Sequence, residues 1–214
     1  MYRTALRTLE THAKGRHDLE ALFDAVAPVR EALMRVVDGT RTFESLTDNE
    51  YRRVQDQLTG VLVNREETLF VEPDPDFFVQ LAVGHGDAAD GRFFAALKAT
   101  YPESVWPVYV DQKTDFSGCT RFGSGKLVDT YRVWSDFRRR FPGRYSAAAR
   151  NETERVIDAL TESTCACGET TDVERELALF VRAAPAPRVR AKVEQRLQAL
   201  RSGRSNIRPR CISG

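Results

Sequence analysis

The stretch that decides the fold is Leu127-Val128-Asp129-Thr130-Tyr131-Arg132-Val133-Trp134-Ser135-Asp136-Phe137-Arg138-Arg139-Arg140-Phe141-Pro142-Gly143. Tyr131, Trp134, Phe137 and Phe141 recur at intervals of three, three and four, so on a helix they share one face. The residues between them are charged or polar apart from Val133. An aromatic stripe of this kind is buried by packing against a neighbouring helix. Pro142 has no amide with which to continue the ladder, so the helix stops there and the chain turns.

The same grammar extends in both directions. Towards the C-terminus, Val156, Ile157 and Leu160 mark a helix closed by a cysteine turn at Gly168. Val173, Leu177 and Phe180 then lead to Pro185, and Val189, Val193, Leu197 and Leu200 to Gly203. Towards the N-terminus, Phe77, Phe78, Leu81 and Ala82 form a face that ends near Gly84, and Phe93, Phe94, Ala96 and Leu97 one that ends at Tyr101-Pro102. A helix over 2–14 is expected, then one capped by Asp18 and carrying Leu19, Leu22, Phe23 and Val26. Pro28 either kinks that helix or opens the next, whose period runs through Leu33, Val36 and Val37 to Gly39. Thr47-Asp48-Asn49-Glu50 reads as a capping box for a helix to about Leu58. Val61–Val63 and Leu69–Val71, around Asn64-Arg65-Glu66-Glu67, suit either two short strands or more helix.

The fold class expected is therefore all-α or nearly so: helix pairs stacked in a bundle or short solenoid-like array, with one long packed loop around 103–126. Pro73-Asp74-Pro75-Asp76 breaks the chain and caps the next helix, which suggests a helical subdomain over 1–72 and a helix-pair domain over 73–214.

Three helix ends share a signature: Leu97-x3-Tyr101-Pro102, Phe137-x3-Phe141-Pro142 and Phe180-x3-Ala184-Pro185. With Leu81-Ala82-x-Gly84-x-Gly86-Asp87 before Phe93–Leu97, and Glu176–Phe180 before Val189–Leu200, the chain resembles tetratricopeptide-like helical repeats over 76–102 and 127–201. The resemblance implies helix pairs whose small residues sit where the two helices approach closely. The aromatic loop and unequal spacing depart from that pattern, and the first 70 residues show none of it.

Composition excludes little. The 32 basic and 31 acidic residues leave a formal charge of +1, so global charge argues for neither a nucleic-acid binder nor a trap for acidic ligands. No apolar run is long enough to span a membrane. Met1-Tyr2-Arg3-Thr4 opens no secretory signal. Cys119, Cys165, Cys167 and Cys211 suit two disulfides in an oxidising compartment, with Cys119 and Cys211 each joined to one member of the Cys165/Cys167 pair; four thiols in a cytosolic protein are the alternative. A periplasmic or secreted location with the signal removed is expected, the cytoplasm being the other.

Chemistry has few footholds. Gly123-Ser124-Gly125-Lys126 lacks both the earlier glycine and the Ser or Thr that a phosphate loop needs. No metal set is expected, because Cys165-Ala166-Cys167 has the wrong spacing and His12, His17 and His85 flank no cysteine. No cofactor is expected either. The leading reading is a non-enzymatic protein-interaction domain, either a cell-envelope adaptor or a toxin-neutralising protein, using Trp106, Tyr109, Phe116, Arg138, Arg139 and Arg140. One rival is a hydrolase in which the 106–126 loop brings Asp111, Asp115 and Cys119 beside His85. The other is nucleic-acid binding by the basic second half, against which Glu152, Glu154, Glu174, Glu176 and Glu194 interleave as ion-pair partners.

Overall fold

The computed structural model describes residues 2–11, 18–37, 45–64, 69–103, 105–114, 117–183 and 187–211. The expected features at His12, His17, Gly39, Arg65–Glu67, Asp115, Phe116, Ala184 and Pro185 lie outside these residues. The described residues are mostly helical with two small antiparallel sheets, as the 3.6-residue period requires. It divides into two compact units, Met1–Lys98 and Ala99–Gly214.

The first unit contains α1 (Tyr2–Thr11), α2 (Asp18–Asp24), α3 (Val26–Val37) and α4 (Asp48–Gln57). Strands β1 (Val61–Val63) and β2 (Val71–Pro73) come next, then α5 (Pro75–His85) and most of α6 (Ala88–Thr100). Pro28 sits in the first turn of α3, where its missing amide is not needed. The Thr47–Glu50 box is formed in full. The ambiguous 60–72 stretch is strand: Val61 pairs with Pro73 and Val63 with Val71, and Arg30 ties α3 to β2 through Val71 O (2.8 Å) and Glu72. The break at Pro73–Asp76 is where β2 gives way to α5. Asp74 caps that helix by accepting from the amides of Asp76 and Phe77.

Phe78, Phe93 and Phe94 are fully buried in this unit's core, and the half-buried Phe23 packs on them with ring centroids 5.9, 5.0 and 6.0 Å away. Offset and edge-on contacts of this kind add to the burial of large apolar area. Gly84 and Gly91 contribute nothing comparable, since a Cβ at either would meet no atom within 4 Å. By contrast, a Cβ at Gly86 would come within 2.7 Å of Ala82 O. Gly84→Ala and Gly91→Ala should therefore each stabilise the unit by about 0.5–1 kcal/mol, read as a higher urea midpoint, and Gly86→Ala should destabilise it.

The second unit contains β3 (Val110–Gln112), β4 (Gly118–Thr120), α7 (Lys126–Arg140), α8 (Ser146–Thr161), α9 (Thr170–Ala183) and α10 (Pro187–Arg201). α7 packs on α8 and α9 on α10 as antiparallel neighbours would. The stripe that announces α7 is buried at Tyr131, Trp134 and Phe137, while Phe141 is half-buried at the helix end. Trp134 carries its polar atom inward and donates to Thr100 Oγ1 at 3.0 Å. The long loop of 103–126 holds the β3–β4 hairpin, with Asp111 opposite Cys119.

Candidate functional site

All four cysteines converge on that hairpin. Thr120 at the end of β4 pairs in parallel with Ala166, and Cys165 in turn pairs in parallel with Arg208. The bonds run Thr120 N to Cys165 O (2.9 Å), Cys167 N to Thr120 O (3.0 Å), Ala166 N to Arg208 O (3.0 Å) and Arg208 N to Thr164 O (2.8 Å). The hairpin and two segments distant from it in sequence thus form one array of four extended segments in the order β3, β4, 163–167, 207–211. Ala166 is fully buried in the helical core. Alternation along an extended segment then turns both of its cysteine neighbours to the other face.

On that face Cys119 is joined to Cys167, Cα atoms 5.1 Å apart, and Cys165 to Cys211 at 5.2 Å. Such pairs suit an oxidising compartment. No helix among the described residues is long and apolar enough to cross a membrane.

Among the hydrolase residues, Cys119 supplies no nucleophile. Cys119 is 1% exposed and its sulfur is bonded to another sulfur, so no thiolate is present to attack. Asp111 lies on β3, where hydrogen bonds from Lys113 (2.6 Å) and Arg121 (3.1 Å) hold its carboxyl below the usual carboxylate range. A carboxylate held ionised in this way does not cycle a proton near neutrality. Asp111, Cys119 and Cys167 do bring ligand atoms within 4.8 Å of one another, but both sulfurs are spent in the bridge. His85 belongs to the first unit, at the end of α5. Asp115 lies outside the described residues.

The glycine turn before α7 is occupied by protein. Gly125 adopts φ +78° and has no capping side chain of its own. Glu176 of α9, 1% exposed, accepts from Gly125 N at 2.7 Å and Val128 N at 3.4 Å. One distant carboxylate therefore satisfies the two amides that a local capping box would. The helix terminus that a phosphate would need is thereby filled.

Glu176 and Glu152 correct the expectation of solvated partners on a charged face, since both are buried. Tyr101 OH donates to Glu152 Oε2 (2.8 Å), and Arg155 donates to Glu152 Oε1 (3.0 Å) and to the Tyr101 oxygen (2.8 Å). Glu174 behaves as expected, paired with Arg201 at 2.7 Å. Arg196 is half-buried and donates to Leu160 O (3.3 Å) and Ser163 O, closing the end of α8 just ahead of the cysteines.

Burial, reinforced by the Glu152 carboxylate, pushes the phenols of Tyr101 and Tyr109 well above the ordinary tyrosine value of 10.0. A folded-state value above the unfolded one stabilises below pH 10 and loses that contribution as pH rises further. Stability should therefore fall steeply above pH 10, and absorbance at 295 nm should show these two tyrosines ionising only as the chain unfolds.

Of the expected interaction surface, Tyr109 is a correction: at 2% exposure it packs in the core beside Phe122 and Ala166. Trp106 is half-buried and Phe116 lies outside the described residues. Arg138, Arg139 and Arg140 are exposed at the end of α7, where positive charge complements the helix dipole. Asp136 pairs with Arg139 (2.5 Å) and Arg140 (2.7 Å).

Comparison with protein-family models, with curated proteins and with solved structures finds nothing that matches this chain.

Proposed function

We propose that this chain is a non-enzymatic protein-interaction domain that works in an oxidising compartment, periplasmic or extracellular. The observation that carries the reading is the use made of its reactive groups. All four sulfurs are paired, Glu176 caps a helix and Asp111 is held by two cations. What remains for recognition is helix surface, in the manner of the tetratricopeptide-like repeats that the helix–proline spacing resembles. An envelope adaptor and a toxin-neutralising protein both fit this description.

The exposed face of α7 is the surface we assign to the partner. It presents Val133, 40% exposed, among Asp129, Arg132, Asp136, Arg139 and Arg140. Mixed charges around an apolar point give register and orientation to a protein contact. The paired arginines are less suited to a run of phosphates, which would need unopposed cations.

Chemical cross-linking in the native envelope or culture fluid, followed by purification without reductant, tests this. A single protein should be recovered in stoichiometric amount, and Arg138→Glu/Arg139→Glu/Arg140→Glu should reduce its recovery at least about tenfold while circular dichroism at the assay temperature still reports the folded helices, as for rim charges. Recovery of no such protein, or recovery indifferent to the triple variant, would count against the reading.

A further inference from the structure

The two disulfides occupy unlike places in the strand array. Cys119–Cys167 joins β4 to the 163–167 segment, and each of these has a paired neighbour on both sides. Cys165–Cys211 joins the 163–167 segment to 207–211, which among the described residues pairs on one side only. Cys119 is 1% and Cys165 9% exposed, and their partners Cys167 and Cys211 are half-buried.

Thiol–disulfide exchange requires an attacking thiolate to reach a sulfur, so a bridge opens as readily as its surroundings admit one. At the outer bridge, lifting one edge segment is enough. That segment is held by four backbone bonds, Arg208 N to Thr164 O, Ala166 N to Arg208 O, Arg210 N to Gly168 O and Cys211 N to Ala166 O, and by the surface ion pair of Arg210 with Glu169. The inner bridge demands the parting of two central segments. This breaks the Thr120–Ala166 pairing and the Thr120–Ser163 hydroxyl contact, and it pulls on a side chain seated in the core.

We propose that Cys165–Cys211 is a redox-operated latch on the 208–211 segment, opened by a dithiol reductant while Cys119–Cys167 stays closed. A thiolate of the reductant attacks the Cys211 sulfur, the bond to Cys165 breaks, and Cys165 leaves as a thiolate that takes up a proton. The second thiol of the reductant resolves the mixed disulfide and frees Cys211 as a thiol. Two electrons and two protons reach the protein, and the reductant becomes a disulfide. The lifted segment uncovers the Ala166 amide and the carbonyls of Thr164, Ala166 and Gly168. This is an open edge of the kind that accepts an added strand. Ile207, buried in the core, fixes where the lifting stops. The latch rests on the bridges alone and stands whether or not the helices bind a partner.

The experiment is a graded reduction of the intact protein with dithiothreitol, with free thiols blocked by iodoacetamide and located by peptide mass. A species labelled only at Cys165 and Cys211 should accumulate, the inner bridge opening at least about tenfold more slowly. In that species, hydrogen exchange at Ala166, Arg208 and Cys211 should quicken at least about tenfold, while Thr120 and Cys167 keep their protection. Cys165→Ser/Cys211→Ser should reproduce this exchange pattern with no reductant present. Label appearing first at Cys119 and Cys167, or at all four together, would overturn the latch. Unchanged exchange at Ala166 and Cys211 after selective labelling would overturn the release, as would a double variant that fails to fold.

Discussion

Glu176→Ala is expected to destabilise the second unit by about 3 kcal/mol, more than an ordinary helix cap supplies. The carboxylate is buried, and its removal leaves the amides of Gly125 and Val128 without the acceptor that the fold provides. It also takes a negative charge from the start of α7, where the helix dipole favours one. Glu176→Gln keeps one acceptor oxygen and should lose about half as much. A urea titration followed by tryptophan fluorescence, which reports this unit through Trp106 and Trp134, measures both, and equal stability of wild type and Glu176→Ala would show that the cap contributes nothing.

Loss of the inner bridge should have a larger effect. Cys119 and Cys167 are 48 residues apart, and closing a loop of that length removes unfolded-state entropy worth about 4 kcal/mol. Cys119→Ala/Cys167→Ala should therefore lower the melting midpoint by roughly 15 °C for a unit of this size. Calorimetry of the double variant beside the oxidised wild type reads this directly. A shift of only a degree or two would mean that the hairpin is held by its hydrogen bonds without help from sulfur.

The helices are legible because each repeats one simple relation many times. Tyr131, Trp134 and Phe137 announce α7 by spacing alone, and Thr47 with Glu50 announces the start of α4. The strand array is not legible. Its members are three to five residues long and too short to show alternation clearly, and their pairing is decided by segments from around 110, 120, 165 and 208 meeting in space. The role of Glu176 is hidden for a related reason. A glutamate between helical apolar residues looks the same whether it faces water or an amide about fifty positions earlier. The cysteine pairing can be narrowed because a bridge within Cys165-Ala166-Cys167 is sterically poor, but the choice between the remaining partners belongs to the backbone register.

That register decides the order of events during maturation. The bridges cross: Cys165 lies inside the loop closed by Cys119 and Cys167, and Cys211 lies outside it. Because Cys165 and Cys167 are only two positions apart, an unfolded chain meets either one from Cys119 with almost equal ease, the difference being on the order of hundredths of a kcal/mol. Random oxidation would therefore scramble the pairs. Helix docking has to come first, presenting each sulfur to its proper mate, and the oxidant then seals an arrangement already reached.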